Sequence, residues 1–425
     1  MTLLVFIGSL LGSMAIGVPV AFALMFCGVI LMSYMGMFNT QIVSQNMISG
    51  ADTFTLLAIP FFILAGELMN SGGLSRRIID FALAWAGHIR GGLGFVAIVA
   101  AIIMASLSGS AAADTAALAA ILVPMMARAG YDVPRSAGLM AAGGIIAPVI
   151  PPSLAFIIFG VAANVSITKL FMGGIVPGIM MGVALALTWT LLVRKSKVET
   201  LPRQPMSVRL LATGRAAWAL GMPVIILGGI RMGVVTPTEA AVIAAFYALM
   251  VGLFVYRELK VADLYFVILR AAKTTSIVMF LVAAALVSAW LITAANIPAE
   301  ITRYIAPLIE QPKLLMLAMM LLVLVVGTAL DLAPTILILS PVLMPIVKQA
   351  GIDPVYFGVL FVMNTCIGLI TPPVGVVLNV VSGVSKVPLG KVVTGVMPFL
   401  LSQIAVLLLL ILFPELVLVP LSWLH

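Results

Sequence analysis

The sequence predicts an all-α polytopic membrane protein made of two inverted repeats, each with one re-entrant helical hairpin and one broken helix. Hydrophobic residues make up 63% of the 425 residues and charged residues only 8%, and the mean hydropathy is +1.28. Soluble domains do not have this composition. Apolar runs long enough to cross a bilayer recur along the whole chain. They lack the alternating pattern of an outer-membrane barrel, so we expect membrane helices.

The net charge of +8 comes from basic residues that lie mostly in short loops. This pattern indicates orientation in a membrane and not a nucleic-acid surface. Cys27 and Cys366 lie in apolar segments, and His88 and His425 lie outside the predicted membrane core. So few cysteines and histidines do not predict a disulfide or a metal cluster.

The first repeat covers residues 1–193. Charged residues punctuate the apolar sequence at 75–88, which predicts an amphipathic arm at the membrane interface. Farther along, Pro148, Pro151 and Pro152 remove three N–H donors within five residues, so the helix around them must unwind. The predicted elements are scaffold helices within 1–72, an arm at 74–90, a hairpin at 92–127, a broken helix at 134–163 and a helix at 173–193.

A basic linker at 194–215, the most polar stretch of the chain, separates the first repeat from the second, which covers 216–425. The second repeat follows the same plan, and its broken helix is interrupted at Thr371, Pro372 and Pro373. Its predicted elements are scaffold helices within 216–294, an arm at 298–310, a hairpin at 312–348, a broken helix at 355–384 and a last helix at 391–413.

A shift of 221 positions relates the punctuating residues of the two halves. A gapless series of such matches is hard to attribute to chance, so it predicts an internal repeat. The hairpin tips align less well, since Asp114 and Asp331 differ by 217 positions. The matched pairs are Pro124 and Pro345, Gly130 and Gly351, Asp132 and Asp353, Pro151-Pro152 and Pro372-Pro373, Gly174 and Gly395, and Pro177 and Pro398.

The predicted topology also gives an orientation. Each half contributes five crossings and a hairpin that returns to its own side, and an odd count inverts the second half. Placing 194–215 in the cytoplasm puts 17 of the 22 Lys and Arg residues inside and 5 outside, which the positive-inside rule favours. Both termini then lie outside, the first hairpin enters from the cytoplasm, and the second enters from the opposite face.

The stretch MASLSGSAAADTAA at 104–117 is a polar interruption deep in apolar sequence. An Asp near the middle of a bilayer costs roughly 2.5–3.5 kcal/mol, and a Ser-Gly-Ser break frees backbone groups that lipid cannot satisfy. Both costs are tolerable where the segment lines a polar cavity or an ion site. We therefore expect this stretch to be a hairpin tip at a transport site, with Gly327–Ala333 as its counterpart.

Inverted repeats with discontinuous helices and paired hairpins predict a secondary transporter with a site near the midplane. Half-helix N-termini can face an anionic substrate, and freed carbonyls can bind sodium. We predict a first sodium cluster at Ser106, Ser108, Gly109, Ser110, Asp114, Pro148 and Pro151. The predicted second sodium cluster is Gly327, Thr328, Asp331, Thr371 and Pro372. The predicted substrate-binding residues are Ser108, Ser110, Pro152, Ser153, Asn364, Pro373 and Asn379.

Other roles stay open for some of these residues. Small residues such as Ser and Gly often only permit close helix packing in membranes. Glu67 and Glu239 are at least as compatible with structural hydrogen bonds as with transport. No nucleotide-binding G-x-x-x-x-G-K-[ST] motif is present, so we expect an ion gradient as the energy source and no cofactor. Hydroxyl-rich tips without His favour sodium, although Asp114 or Asp331 as a proton carrier remains an alternative.

Several stretches resemble the large membrane subunit of tripartite ATP-independent periplasmic (TRAP) transporters, most closely those of the 2,3-diketogulonate type. The resemblance covers essentially the whole chain. The stretches are GADTFTLLAIPFFILAGELMNSGGLS at 50–75, ASLSGSAAADTAA at 105–117, GGIIAPVIPPS at 143–153, TPTEA at 236–240, DLAPTILILSPVLMPI at 331–346 and GLITPPVG at 368–375.

The resemblance implies sodium-driven import of a carboxylate-bearing solute, such as a sugar acid, sialic acid or a C4-dicarboxylate, across the bacterial inner membrane. It also implies two partners, a small four-helix membrane subunit and a periplasmic substrate-binding protein. The implied fold is like that of divalent-anion sodium symporters of elevator type. In such a fold the segments at about 92–190 and 312–413 would move against scaffold helices at 1–72 and 216–294.

Three other functions are alternatives to this one. A stand-alone sodium/anion symporter would share the fold but need no binding protein. An intramembrane enzyme would need a convergent nucleophile, base or metal cluster, and no His or Cys lies near the tips. A pore-forming channel is disfavoured by inverted repeats with broken helices.

Overall fold

The computed structural model describes residues 2–194, 198, 200–297 and 308–424, and the regular structure in this part of the chain is helical. A 3-10 turn, Phe54–Leu57, precedes the fourth α-helix, and a π-helical turn, Val251–Val255, extends the twelfth. The α-helices of the described part are α1 Thr2–Ala15, α2 Val20–Tyr34, α3 Thr40–Ala51, α4 Ala58–Ser71, α5 Leu74–Ala86, α6 Gly92–Ser108, α7 Ala111–Arg128, α8 Val133–Gly144, α9 Leu154–Ala163, α10 Ile167–Val193, α11 Met206–Arg231, α12 Pro237–Met250, α13 Val261–Ala294, α14 Pro312–Ala329, α15 Leu332–Gln349, α16 Pro354–Gly368, α17 Val376–Ser385, α18 Leu389–Leu412 and α19 Glu415–Leu424.

The two hairpins and the two broken helices predicted from the sequence are present. Helices α6 and α7 are the arms of the first hairpin, and α14 and α15 are the arms of the second. Helices α8 and α9 are the halves of the first broken helix, and α16 and α17 are those of the second. In the described part of the chain, nine helical segments are long and apolar enough to cross a membrane by length and composition. The prediction of an all-α polytopic membrane fold is confirmed.

Several helices depart from the sequence prediction. Helix α3 lies in the more polar stretch 37–53, which has no membrane-helix pattern, and α11 begins at Met206, inside the predicted linker 194–215. Helix α10 begins at Ile167 and not near 173, and α19 was not predicted. The polar sequence of α3 gave no membrane signal, but the Asn39 side chain caps its first turn, accepting from Gln41 N at 2.8 Å. The predicted arm at 298–310 lies outside the described residues except for 308–310.

Helix α13 is longer than its predicted apolar span. It has 34 residues, or about 51 Å at 1.5 Å per residue, whereas about 20 residues cross a bilayer. From the apolar pattern the sequence predicts a membrane span at 274–294, and this part alone is enough for the crossing. The N-terminal extension carries Arg270 and Lys273, so the helix projects beyond the apolar layer at that end.

Residues 221 positions apart have the same structural roles. The Asp132 side chain caps α8 by accepting from Arg135 N at 2.8 Å, and the Asp353 side chain caps α16 by accepting from Val355 N at 2.8 Å. Gly130 and Gly351 precede these caps with φ values of 78° and 68°, in the region that favours glycine. Local chemistry therefore builds the same helix start twice.

The hairpins and broken helices of the two repeats pack against each other. Helix α7 contacts α17, and α9 contacts α15, so each hairpin rests on the broken helix of the other repeat. Helix α18 crosses α8 so closely that a Cβ on Gly395 would overlap the carbonyl of Pro134. Buried Gln403 on α18 donates to Met181 O on α10 at 3.1 Å. These contacts join α6–α10 and α14–α18 into one core.

Of the remaining helices, α1–α5 and α11–α13 form a wall beside this core, and α19 packs on α10. Helix α4 packs on α12 and α13, and α2 packs on α13, where Ser288 Oγ donates to Leu24 O at 3.0 Å. Helix α5 lies between α11 and α6. The wall meets the core where α5 and α4 contact α6, where α13 contacts α15 and where α4 contacts α9. This boundary positions the candidate site.

Candidate functional site

The first hairpin tip is a sharp turn made by two residues. Helix α6 ends at Ser108, and Gly109 follows with φ 61°, a conformation that glycine adopts at no steric cost. Ser110 then caps α7, its side chain accepting from Ala113 N at 3.4 Å. The side chain of Ser108 lies outside the described part of the structure. A glycine C-cap followed directly by a serine N-cap explains why the polar stretch is a tip.

The second tip uses a carboxylate for the same purpose. Asp331 caps α15, and its Oδ1 accepts from Leu332 N at 2.8 Å. Thr335, one turn later and fully buried, donates to the carbonyl of Asp331 at 2.9 Å. Asp114 differs in position, because it lies in the first turn of α7 with only 1% of its surface exposed. The two acids therefore occupy different environments despite their similar places in sequence.

Each broken helix is interrupted at its proline pair and then restarts, with a side-chain cap in the first repeat and a glycine in the second. In the first, the Ser153 hydroxyl donates to Pro148 O and accepts from Phe156 N, starting α9. In the second, Gly375 precedes α17 with φ 50°, and Asn379 Nδ2 donates to Val374 O at 3.0 Å. The Pro151-Pro152 and Pro372-Pro373 bonds are both cis.

The tips rest directly on these interruptions. A Cβ on Gly109 would lie 3.2 Å from Pro152 O and 3.3 Å from Leu154 N. In the second repeat, Gly375 N donates to Thr328 O at 3.4 Å, and Gly327 packs against Gly368 through backbone atoms. Glycine at these positions lets two backbones approach without an intervening side chain.

Both tips, Pro148 of the first interruption and Leu369 just before the second line one cavity of about 310 Å³. Four helices, α7, α9, α15 and α17, present their N-terminal turns to it, and the scaffold helices α4 and α13 close the other side. Each N-terminus carries free N–H groups and a partial positive charge of roughly half a unit. The residues of those four turns at the cavity are Ala111, Ala112, Ala113, Leu154, Ala155, Leu332, Ala333, Val376 and Val377.

The side-chain charges at the cavity are all negative. The described residues that line it include no Lys or Arg, but they include Asp331 and Glu67. Glu67 forms an ion pair with Arg270, in which Oε2 and Nε are 3.0 Å apart. The cavity thus combines backbone donors, which favour an anion, with a carboxylate that favours a cation.

The structure brings some predicted site residues to the cavity and places others behind it. Gly109, Ser110, Pro148 and Asp331 line the cavity. Asn364 does not line it but donates from Nδ2 to Met320 O on α14. The described predicted residues that do not line the cavity are Ser106, Asp114, Pro151, Pro152, Ser153, Gly327, Thr328, Asn364, Thr371, Pro372, Pro373 and Asn379.

Several residues behind the cavity retain unused acceptor capacity. Ser106 Oγ donates to Ile103 O at 2.6 Å and Thr371 Oγ1 donates to Ile367 O at 2.8 Å. A hydroxyl that donates once keeps lone pairs that a cation can use. Buried Thr115 Oγ1 has no hydrogen-bond partner among the described residues. These oxygens, together with the backbone carbonyls of the tips, are suitable ligands for a hard cation.

Sequence reasoning missed the scaffold side of the cavity. Asn70 on α4 and Thr274 on α13 line it beside Glu67. Neither residue lies beside a helix interruption or a helix cap, which are the signals that located the tips. Only the packing of α4 and α13 against the core brings these residues to the site. Glu239, by contrast, forms a capping box with Thr236 at the start of α12, in agreement with the structural alternative.

Comparison with known proteins identifies relatives along the whole chain. The family described as the tripartite ATP-independent periplasmic transporter, DctM component, matches residues 7–416. A large permease relative from Haemophilus influenzae is 57% identical over 425 residues, all of both chains. The 2,3-diketo-L-gulonate TRAP transporter large permease protein YiaN of Escherichia coli is 54% identical, also over all of both chains.

A solved structure supports the fold. The crystal structure of the YdaH transporter of Alcanivorax borkumensis, described as having an unusual topology, superposes with a TM-score of 0.62. The match covers 87% of this chain and 86% of that one, at 15% sequence identity. Similarity at this identity concerns the fold alone.

Proposed function

Because the chain belongs to the DctM family of large permeases in TRAP transporters, we propose that it imports a carboxylate-bearing solute by sodium symport. The substrate class we favour is a sugar acid, since YiaN, at 54% identity, is named for 2,3-diketo-L-gulonate. Sialic acid and C4-dicarboxylates, for which two other relatives are named, are the other carboxylate-bearing solutes in the proposal. Family membership makes the chain a transporter permease and not an enzyme.

The proposal includes two partners and a location. A periplasmic binding protein delivers the solute, and a small four-helix membrane subunit completes the complex. The proposed location of the protein is the bacterial inner membrane, with 194–215 in the cytoplasm and both termini in the periplasm. The supporting observation for this orientation is that 17 of 22 basic residues then lie inside.

The observation that carries the substrate class is the convergence of four helix N-termini on one cavity whose described lining residues include no Lys or Arg. A carboxylate can accept hydrogen bonds from the free N–H groups of these turns. The same cavity holds the Asp331 carboxylate, which repels an anion unless a cation offsets it. Sodium bound near the tips supplies that offset, so solute and sodium favour each other's binding.

We assign sodium to the two predicted clusters. Asp331, with the hydroxyls and carbonyls of Gly327, Thr328 and Thr371, forms the second cluster. The first cluster lies around Ser106, Gly109, Ser110, Asp114 and the Pro148 interruption, with Ser108 at its tip. In this proposal the sodium ions hold each tip against its broken helix, where Gly109 and Gly375 already make close backbone contacts.

The transport step we propose is movement of the core α6–α10 and α14–α18 along the scaffold. Cross-repeat contacts such as that of Gly395 with Pro134 support a core that moves as one body. In the proposed orientation the cavity lies at the cytoplasmic ends of α4 and α13, beside Asn70 and Thr274. The structure then corresponds to the state that releases solute inside.

The test is uptake into proteoliposomes holding the permease and its small subunit, with binding protein and labelled 2,3-diketo-L-gulonate outside. Asp331→Asn keeps a side-chain oxygen that can cap α15 but removes the charge, since Asn and Asp cap helices about equally well. Asp331→Ala removes both. We expect both variants to lose most sodium-dependent uptake while Asp331→Asn keeps the thermal stability of the wild type. Ser108→Ala should also lower sodium-dependent uptake.

Unchanged uptake with unchanged sodium dependence in the Asp331 and Ser108 variants would refute the assignment of the clusters. Uptake that proceeds equally well without binding protein would instead favour the stand-alone symporter. Wild-type uptake that ignores the sodium gradient would overturn the coupling ion and leave the permease assignment intact.

A further inference from the structure

The scaffold wall of the cavity carries one charged pair that the proposed transport step does not use. Glu67 on α4 lines the cavity, and its Oε2 lies 3.0 Å from Nε of Arg270 on α13. The same guanidinium donates from Nη2 to Ser71 Oγ at 3.1 Å. Arg270 is therefore held by two groups of α4, next to the cavity that holds Asp331.

Stability does not explain this pair well. The Glu67 side chain is 30% exposed and the Arg270 side chain 55% exposed. Ion pairs with such exposure typically contribute about 0–1 kcal/mol to folding. A weakly stabilising pair that faces the transport cavity calls for an electrostatic explanation in place of a structural one.

The charges of the cavity supply that explanation. None of the described residues that line it is Lys or Arg, so nothing else on its walls offsets the Glu67 carboxylate. With Arg270 in place, the scaffold wall is neutral. Without it, an anionic solute would meet two carboxylates, Asp331 on the core and Glu67 on the scaffold. Sodium bound at the tips offsets the charge of Asp331. None of the proposed sodium ligands lies on the scaffold, beside Glu67.

We propose that Arg270 is a specificity-determining residue, which neutralises Glu67 so that the scaffold wall accepts a carboxylate-bearing solute. This inference rests on the proposed function of import. It adds that the scaffold, and not only the hairpin tips, sets the charge that the cavity accepts. Arg270 acts through Glu67, so it is a positioning and charge-balancing residue that need not contact the solute.

The test measures how tightly the inward-open cavity binds solute that enters it from the cytoplasmic face. Proteoliposomes are preloaded with unlabelled 2,3-diketo-L-gulonate, and binding-protein-dependent import of labelled solute is followed. Only permeases whose periplasmic face points outward respond to external binding protein, so the lumen corresponds to the cytoplasm. The lumenal concentration that halves the import rate reports binding in the inward-open cavity.

Arg270→Gln should raise that concentration about tenfold, the effect of a like charge roughly 12 Å away at an effective dielectric of about 20. Glu67→Gln should leave it unchanged or lower it. The double variant Glu67→Gln with Arg270→Gln should return to within about twofold of wild type, because the wall is neutral again. Arg270→Lys should also stay near wild type, since it keeps the charge.

A purely structural role gives a different pattern, since every variant that breaks the link between α4 and α13 would then behave alike. The matched control is the Arg77–Glu258 pair, 2.8 Å apart and absent from the cavity lining. Arg77→Gln should not change the lumenal solute concentration that halves the import rate. If Arg270→Gln imports normally and its lumenal half-inhibition concentration equals that of wild type, the inference about Arg270 is wrong and the proposed function stands. If the wild type imports nothing, the proposed function is wrong as well.

Discussion

Substituting Gly109 by Ala tests the contact between the first hairpin tip and the first broken helix. Gly109 has φ 61°, and a Cβ there would lie 3.2 Å from Pro152 O and 3.3 Å from Leu154 N. The positive φ alone costs an Ala roughly 1–2 kcal/mol. The two short contacts are closer than the usual 3.5–4.0 Å between non-bonded atoms, so the tip must also move by a few tenths of an ångström.

Gly130 separates these two effects. It has φ 78°, and no atom lies within 4 Å of a Cβ placed there. Gly130→Ala therefore carries the backbone strain without the contact. Both variants should lose thermal stability, and Gly109→Ala should lose at least as much as Gly130→Ala. Only Gly109→Ala should lose transport, by about tenfold, because a displacement of 1 Å at a binding site can cost about a hundredfold.

The assay is sodium-dependent uptake per amount of folded protein, with thermal unfolding of the purified permease alongside. The sodium concentration for half-maximal uptake should rise in Gly109→Ala and stay unchanged in Gly130→Ala. Equal uptake by the two variants would refute the argument that tip and interruption must touch for transport.

Two further predictions concern stability. Gly395→Ala should destabilise the core by about 1–3 kcal/mol, because its Cβ would overlap the carbonyl of Pro134. Gly390→Ala in the same helix meets no atom within 4 Å and should be neutral or stabilising by up to about 1 kcal/mol; equal melting temperatures for the two would contradict the close crossing. Thr236→Ala should cost about 0.5–2 kcal/mol through loss of the capping box with Glu239, measured by thermal unfolding against wild type.

Local chemistry made most of the fold predictable. Apolar runs located the membrane helices, and the proline pairs located both interruptions. Glycine and a capping side chain mark the first tip, and Asp331 marks the second. These signals act within one or two turns of the chain, so a single sequence contains them. The departures, α3 and the start of α11, are polar helices that tertiary packing stabilises without a membrane signal.

The candidate site was predictable only in part. Both tips and both interruptions were expected at one place, and the tips, Pro148 and Leu369 beside the second interruption line one cavity. Which side chains face it was not predictable. Asp331 lines the cavity, whereas Asp114 is buried behind it, and Asn364 donates to the carbonyl of Met320. The direction of a side chain such as Asn364 depends on packing between helices that are separate in sequence, here α16 on α14.

By itself, the sequence determined an all-α membrane protein with a repeated plan, two hairpins, two broken helices and a polar tip at 104–117. The tertiary structure alone decided that four helix N-termini share one cavity and that scaffold helices close it. It also decided the ion pair of Glu67 with Arg270, which lie 203 positions apart. The physical reason is the separation of the interacting residues in sequence. Helix caps and helix breaks depend on neighbouring residues, whereas the charge of a cavity depends on helices that only tertiary packing brings together.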